Sequence, residues 1–129
     1  QQIAVIRRMA EDLKFRVNIV PCPVIREEDG LAMSSRNTLL SPDEKKIATN
    51  IYRVLLESKD LGLNVRDTQD WVINHINEID GLEVEYYSIV DGDTLADISN
   101  WEDALHVVGC ITVYCGKTPI RLIDHIRYK

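Results

Sequence analysis

Leu82-Glu83-Val84-Glu85-Tyr86-Tyr87, residues 82–87, is where the chain changes its period. Leu82, Val84 and Tyr86 alternate with Glu83, Glu85 and Tyr87, the two-residue repeat of a half-buried strand. Upstream the spacing is helical. Ser41-Pro42-Asp43-Glu44 is a helix start: Ser41 caps, Pro42 suits the first turn, and Glu44 sits three residues after the cap. Ile47, Ile51, Val54 and Leu55 form an apolar stripe that runs to about Lys59, before Gly62. A second helix is predicted near Thr68–Ile79, with Arg66 or Asp67 at its start, Val72, Ile76 and Ile79 on one face and Asp80-Gly81 at its end. Downstream, Asp91-Gly92-Asp93 reads as a turn. Leu105–Cys115 is apolar on both faces and reads as a central strand, and Gly116–Pro119 as a hairpin connection to Ile120–Ile126. Two helices followed by a roughly three-stranded antiparallel sheet define a small α+β domain.

The amino-terminal part has a different character. Residues 2–14 read as an amphipathic helix with Arg7, Arg8, Glu11 and Asp12 on its wet side. Arg16–Val20 reads as a short apolar strand, ended by Pro21 and Pro23 because proline cannot donate to a ladder. Helix, strand and loop in that order look like the last unit of an α/β sheet, in which ligands bind just beyond the strand ends. Helical spacing is already present at Ile3 and Ile6 with no capping residue before it, so the expectation is a fragment of something longer.

Composition narrows the function classes. With 129 residues, 45% hydrophobic and 28% charged, the chain is long enough for one globular core. A net charge of −6 argues against a general nucleic-acid binder. No apolar run approaches the roughly 20 residues of a membrane span, and the expected location is cytoplasmic. Cys22, Cys110 and Cys115 lack the spacing of a zinc site, so no metal site is expected, and they read as reduced, buried packing residues. His75 on a helix, and His106 and His125 on strands, read as surface or packing residues.

The segment Asp29–Asn37, DGLAMSSRN, has no clear period. It places two hydroxyls and a guanidinium side by side. Ser34 and Ser35 can donate to neighbouring phosphate oxygens, and Arg36 can give two parallel charge-assisted bonds. Gly30 and Ala32 keep the backbone unobstructed. The same residues are also good turn composition. On chemistry alone a surface turn and a phosphate grip both fit, and the turn is the commoner.

Val24 to Asn37, VIREEDGLAMSSRN, resembles the signature of the pantothenate synthetase (pantoate–β-alanine ligase) family almost letter for letter. Gln1-Gln2 with the helix after it, Asp91-Gly92-Asp93-Thr94-Leu95 and Arg121-Leu122-Ile123-Asp124 resemble flanking family segments, with His125 where Asn is common. Pro21-Cys22 departs from a Val-Gly pair. The resemblance implies that residues 1–25 are the last helix and strand of an N-terminal Rossmann-like nucleotide-binding domain, 26–37 a nucleotide-binding loop and hinge, and 38–129 a C-terminal lid domain.

By residue, the resemblance implies that Ser34, Ser35 and Arg36 hold the triphosphate as the catalytic set. The backbones of Ile25 and Met33 would meet the adenine, and Gln2 would bind pantoate. It implies the substrates ATP, pantoate and β-alanine, Mg²⁺ accompanying ATP, and a homodimer built through the N-terminal half. That half carries the family's paired histidines, so the fragment alone is expected to be inactive. The alternatives are a non-catalytic α+β binding or dimerisation module, and an adenylyl-transferring enzyme acting on another acid and amine.

Overall fold

The computed structural model describes residues 1–129. Helix α1 (Gln2–Asp12) comes first, then a long irregular segment and a short 3₁₀ turn at Ser35–Leu39. Helices α2 (Pro42–Glu57) and α3 (Val65–Asn77) follow, then strands β1 (Leu82–Asp91), β2 (Val107–Cys115) and β3 (Ile120–Arg127). The sheet is antiparallel in the order β1-β2-β3, so the strand apolar on both faces is central. No helix is long and apolar enough to cross a membrane.

The expected capping box forms. Glu44 N–H donates to Ser41 Oγ at 3.3 Å, and Ser41 N–H donates to Glu44 Oε2 at 2.8 Å. The other oxygen of Glu44 accepts from the backbone of Lys117 at 3.3 Å, so one carboxylate ties the start of α2 to the β2–β3 turn. α2 and α3 then lay one face of the sheet over a single core. Ile51, Val54 and Leu55 meet Val72 and Ile76 above Ile89, Ile111 and Val113, all nearly inaccessible. Beneath this core runs a chain of hydroxyls. Ser58 Oγ donates to the Leu55 carbonyl, which leaves Tyr128 to donate to Ser58 at 2.6 Å and Tyr87 to donate to Tyr128. Burial pushes the phenols of Tyr87 and Tyr128 above their ordinary values. Gly109 lies so close to the Tyr87 hydroxyl that a Cβ there would overlap it.

Five expectations change. Arg16–Val20 forms no strand, because its backbone has nothing to pair with: no hydrogen bond is made by any residue from Arg16 to Val24. α3 starts earlier, at Val65, because Asn64 rather than Arg66 or Asp67 caps it, accepting from Asp67 N–H at 2.8 Å. In β1 a bulge between Val84 and Tyr86 reverses the alternation, burying Tyr87 and turning Tyr86 to the open face. His106 lies in a bend ahead of β2 rather than on a strand, while His75 stacks on Trp71 at 3.9 Å. Cys110 and Cys115 are buried as expected, but Cys22 is exposed.

Gly109→Ala forces Tyr87 aside and is expected to lower unfolding stability by about 1–3 kcal/mol, read in urea titrations. The backbone and hydroxyl hydrogen bonds from Ser41 hold the Glu44 carboxyl below its ordinary value of 4.5. A depressed carboxylate contributes stability above its ordinary range and loses it as pH falls through the lowered value. The acid-side fall of the thermal midpoint is therefore expected to be shallower in Glu44→Ala than in the parent chain.

Candidate functional site

The segment after Val24 is irregular in period but not loosely held. Met33 N–H donates to the Ile25 carbonyl, and Glu27 N–H to the Leu31 carbonyl, closing a narrow two-sided loop around the Arg26–Ala32 bridge. Gly30 makes its bend at φ +92°, where a side chain would be strained and a Cβ would press on the Tyr52 ring at 3.1 Å. Asn37 is only 3% exposed. Its amide donates to Glu27 Oε1 at 2.9 Å and to the Ala32 carbonyl at 3.0 Å, stitching the two limbs together.

Arg26 anchors this loop to the sheet. Its guanidinium makes a bidentate pair with Asp124 on β3, at 2.7 and 2.8 Å, and also donates to the Gly30 carbonyl at 3.1 Å. It lies over the Tyr52 ring of α2, 3.4 Å from the centroid. Burial opposes the guanidinium charge, but the Asp124 carboxylate outweighs it and holds the group above its ordinary value.

The loop forms one wall of a cleft of about 1130 Å³. α1 supplies a second wall through Gln2 and Arg7, and the open face of the sheet supplies a third through Tyr86, Ile123 and His125. Tyr86 Oη donates to Gln1 Oε1 at 2.9 Å, fixing the start of α1 against the sheet. Arg7, Arg36, Arg121 and Arg127 line the cleft, and of these Arg121 is paired with Glu85. Its two aspartates are engaged, Asp124 by Arg26 and Asp93 by His106 at 2.8 Å. A positive cleft in an acidic chain suits a polyanion.

The expected site residues fall as follows. Met33, Ser34, Ser35, Arg36 and Gln2 all line the cleft. Ser34 caps the 3₁₀ turn, its Oγ accepting from Arg36 N–H at 3.2 Å. Arg36 spends one nitrogen on the Arg121 carbonyl at 3.0 Å, which leaves guanidinium donors exposed. The side chain of Ile25 is not a lining group, yet its backbone pairs with Met33. That pairing leaves the Ile25 N–H and the Met33 carbonyl without hydrogen-bond partners. Reasoning from residues gave no role to Arg26, Tyr52 or Asp124. The Arg26–Asp124 partners are 98 residues apart, and no local spacing joins them.

Known proteins are similar to this chain over almost its full length. A family model described as Pantoate-beta-alanine ligase matches residues 1–127. Pantothenate synthetases from Bacteroides thetaiotaomicron and Porphyromonas gingivalis are 50% and 51% identical across the whole of this chain, which covers 46% of each. A Thermus thermophilus pantothenate synthetase structure is similar at a TM-score of 0.87 and 35% identity, over 98% of this chain and 46% of that one. A Francisella tularensis pantoate-beta-alanine ligase, solved with beta-gamma ATP and beta-alanine, is similar at a TM-score of 0.68 and 25% identity, over 98% of this chain and 40% of that one. The α+β fold is thus one that this chain shares with part of these pantothenate synthetases. The chain belongs to the pantoate–β-alanine ligase family, and it spans about half the length of the curated relatives it matches.

Asn37→Ala removes both stitches and leaves the half-buried Glu27 carboxylate and Ala32 carbonyl without that donor. An expected loss of about 1–3 kcal/mol in unfolding stability should come with faster amide exchange across residues 27–37.

Proposed function

We propose that this chain is the C-terminal part of an ATP-dependent, AMP-forming ligase that condenses pantoate with β-alanine to pantothenate, in vitamin B5 and coenzyme A biosynthesis. The observation that carries this reading is the positive cleft that both Met33–Arg36 and Gln2 line, in a chain the ligase family matches from residue 1 to 127. The Francisella ligase, named for its complex with beta-gamma ATP and beta-alanine, supports the choice of ATP and β-alanine as substrates.

In this reading the pantoate carboxylate attacks the α-phosphorus of ATP. Pyrophosphate leaves and a pantoyl adenylate forms. The amine of β-alanine then attacks the acyl carbon, and AMP leaves. Neither step needs an enzyme nucleophile, so rate comes from positioning and from donors aimed at phosphate charge. Ser34, Ser35 and the free donors of Arg36 supply those donors. The Ile25 N–H and the Met33 carbonyl are a donor beside an acceptor, and adenine's edge carries the matching ring-nitrogen acceptor and amino donor. Gln2 holds pantoate. No group of three His, Cys, Asp or Glu side chains here could hold a metal ion. Mg²⁺ would therefore arrive on the nucleotide's own phosphates, and no step is assigned to it.

Residues 1–25 then close the nucleotide-binding domain, 26–37 form the nucleotide loop at the hinge, and 38–129 form the lid. The complete enzyme is read as a cytoplasmic homodimer, and this chain alone as inactive. An apolar stripe of α1 stays open, with Ile6, Met9 and Leu13 between 42% and 58% exposed. That stripe favours the second reading, a non-catalytic binding or dimerisation module. In the ligase reading the rest of the first domain covers it.

The complete protein, given ATP, Mg²⁺, pantoate and β-alanine, is expected to release AMP and pantothenate in equal amounts. ADP as the product, or turnover indifferent to pantoate, would overturn the proposal. Arg36→Ala is expected to slow adenylate formation by about ten- to a thousandfold, the range for losing one major transition-state donor, measured as pantoate-dependent exchange of pyrophosphate into ATP.

A further inference from the structure

We infer that Arg26 and Asp124 are a positioning pair: their ion pair, seated on Tyr52, makes the Met33–Arg36 loop one body with the lid and sets its aim during the adenylation step. The inference rests on the ligase reading and assigns a role to residues that bind nothing themselves.

Three observations carry it. The first is the completeness of the clamp. Arg26 uses both terminal nitrogens on Asp124, a further bond on the Gly30 carbonyl, and its flat face on Tyr52. A planar fork can satisfy all of these at once, and a lysine ammonium cannot. The second is its place. Side chains of Arg26 and Asp124 are only 17% and 7% exposed, so solvent screens the pair weakly. The clamp grips the stem of the loop on one side, while Arg36 holds the Arg121 carbonyl three residues before Asp124 on the same strand. Both ends of the grip therefore register on β3. The third is the contrast with what precedes it. Arg16 to Val24 make no hydrogen bond, so the loop takes its orientation from the lid and not from α1.

The consequence for catalysis is specific. The loop is read as holding the triphosphate, whose β- and γ-phosphates leave in the first step, while only the single phosphate of AMP takes part in the second. Loosening the clamp therefore slows the first step and spares the second. A general loss of folded enzyme would slow both equally.

The test uses the complete protein with Asp124→Asn, which keeps shape and removes charge, and Arg26→Lys, which keeps charge and removes the fork. Pantoate-dependent pyrophosphate exchange is expected to fall by about ten- to a hundredfold, the scale of an ångström misplacement at a reacting centre. The fall should lie mainly in kcat rather than in KM for ATP. Formation of pantothenate from supplied pantoyl adenylate and β-alanine should stay within about twofold. Asp124→Glu, which keeps a carboxylate, should regain part of the exchange rate. Equal loss in both steps, or no loss in exchange, would overturn the inference. Hydrogen exchange at amides 27–37 judges the clamp separately. It should quicken about tenfold or more in Asp124→Asn, and unchanged protection overturns the clamp whatever the chemistry. A parent protein that supports no exchange of pyrophosphate refutes the ligase reading instead, and the amide measurement still decides the clamp.

Discussion

The bidentate pair between Arg26 and Asp124 is the contact on which the arrangement of this molecule turns. Without it the segment from Val24 to Leu40 would be a surface excursion held mainly by its own backbone. With it, that segment becomes an extension of β3. The pair works because three elements converge: β3 brings the carboxylate, α2 brings the Tyr52 ring, and the tight bend at Gly30 brings a carbonyl. A charge taken partly out of water needs all of these partners, since removing either ion would leave the other buried and unmatched. The cleft follows from this, because its loop wall can face the sheet only when the loop is tied to the sheet.

The α+β core was legible in the sequence for local reasons. The Ser41–Glu44 capping box is a contact between neighbours, and the doubly apolar run of β2 announces a central strand without reference to anything else. What failed was whatever depends on a partner. Arg16–Val20 has the composition of a strand, but a strand exists only when another pairs with it, and none here does. The bulge in β1 is set by its register against β2, so the alternation of Leu82, Val84 and Tyr86 pointed Tyr86 and Tyr87 to the wrong faces.

The cleft divides in the same way. Ser34, Ser35 and Arg36 stand out by type and adjacency, and family resemblance supplies their expected roles. The structure places them beside Gln2 on one cleft. Arg26 and Asp124 were visible only as letters in two separate motifs. Nothing in spacing could pair them, because the sheet and not the helix period brings them together. The engaged state of the aspartates, which leaves the cleft positive, is likewise a property of contacts rather than of composition.

The distance between those two residues along the chain also bears on how the molecule assembles. A contact across 98 residues closes about three quarters of the 129-residue chain. The β2–β3 hairpin and the two capped helices need only local closure, and so they can form first. The clamp needs α2 and β3 already packed, since Tyr52 and Asp124 come from different elements. Folding should therefore complete the core before it sets the loop.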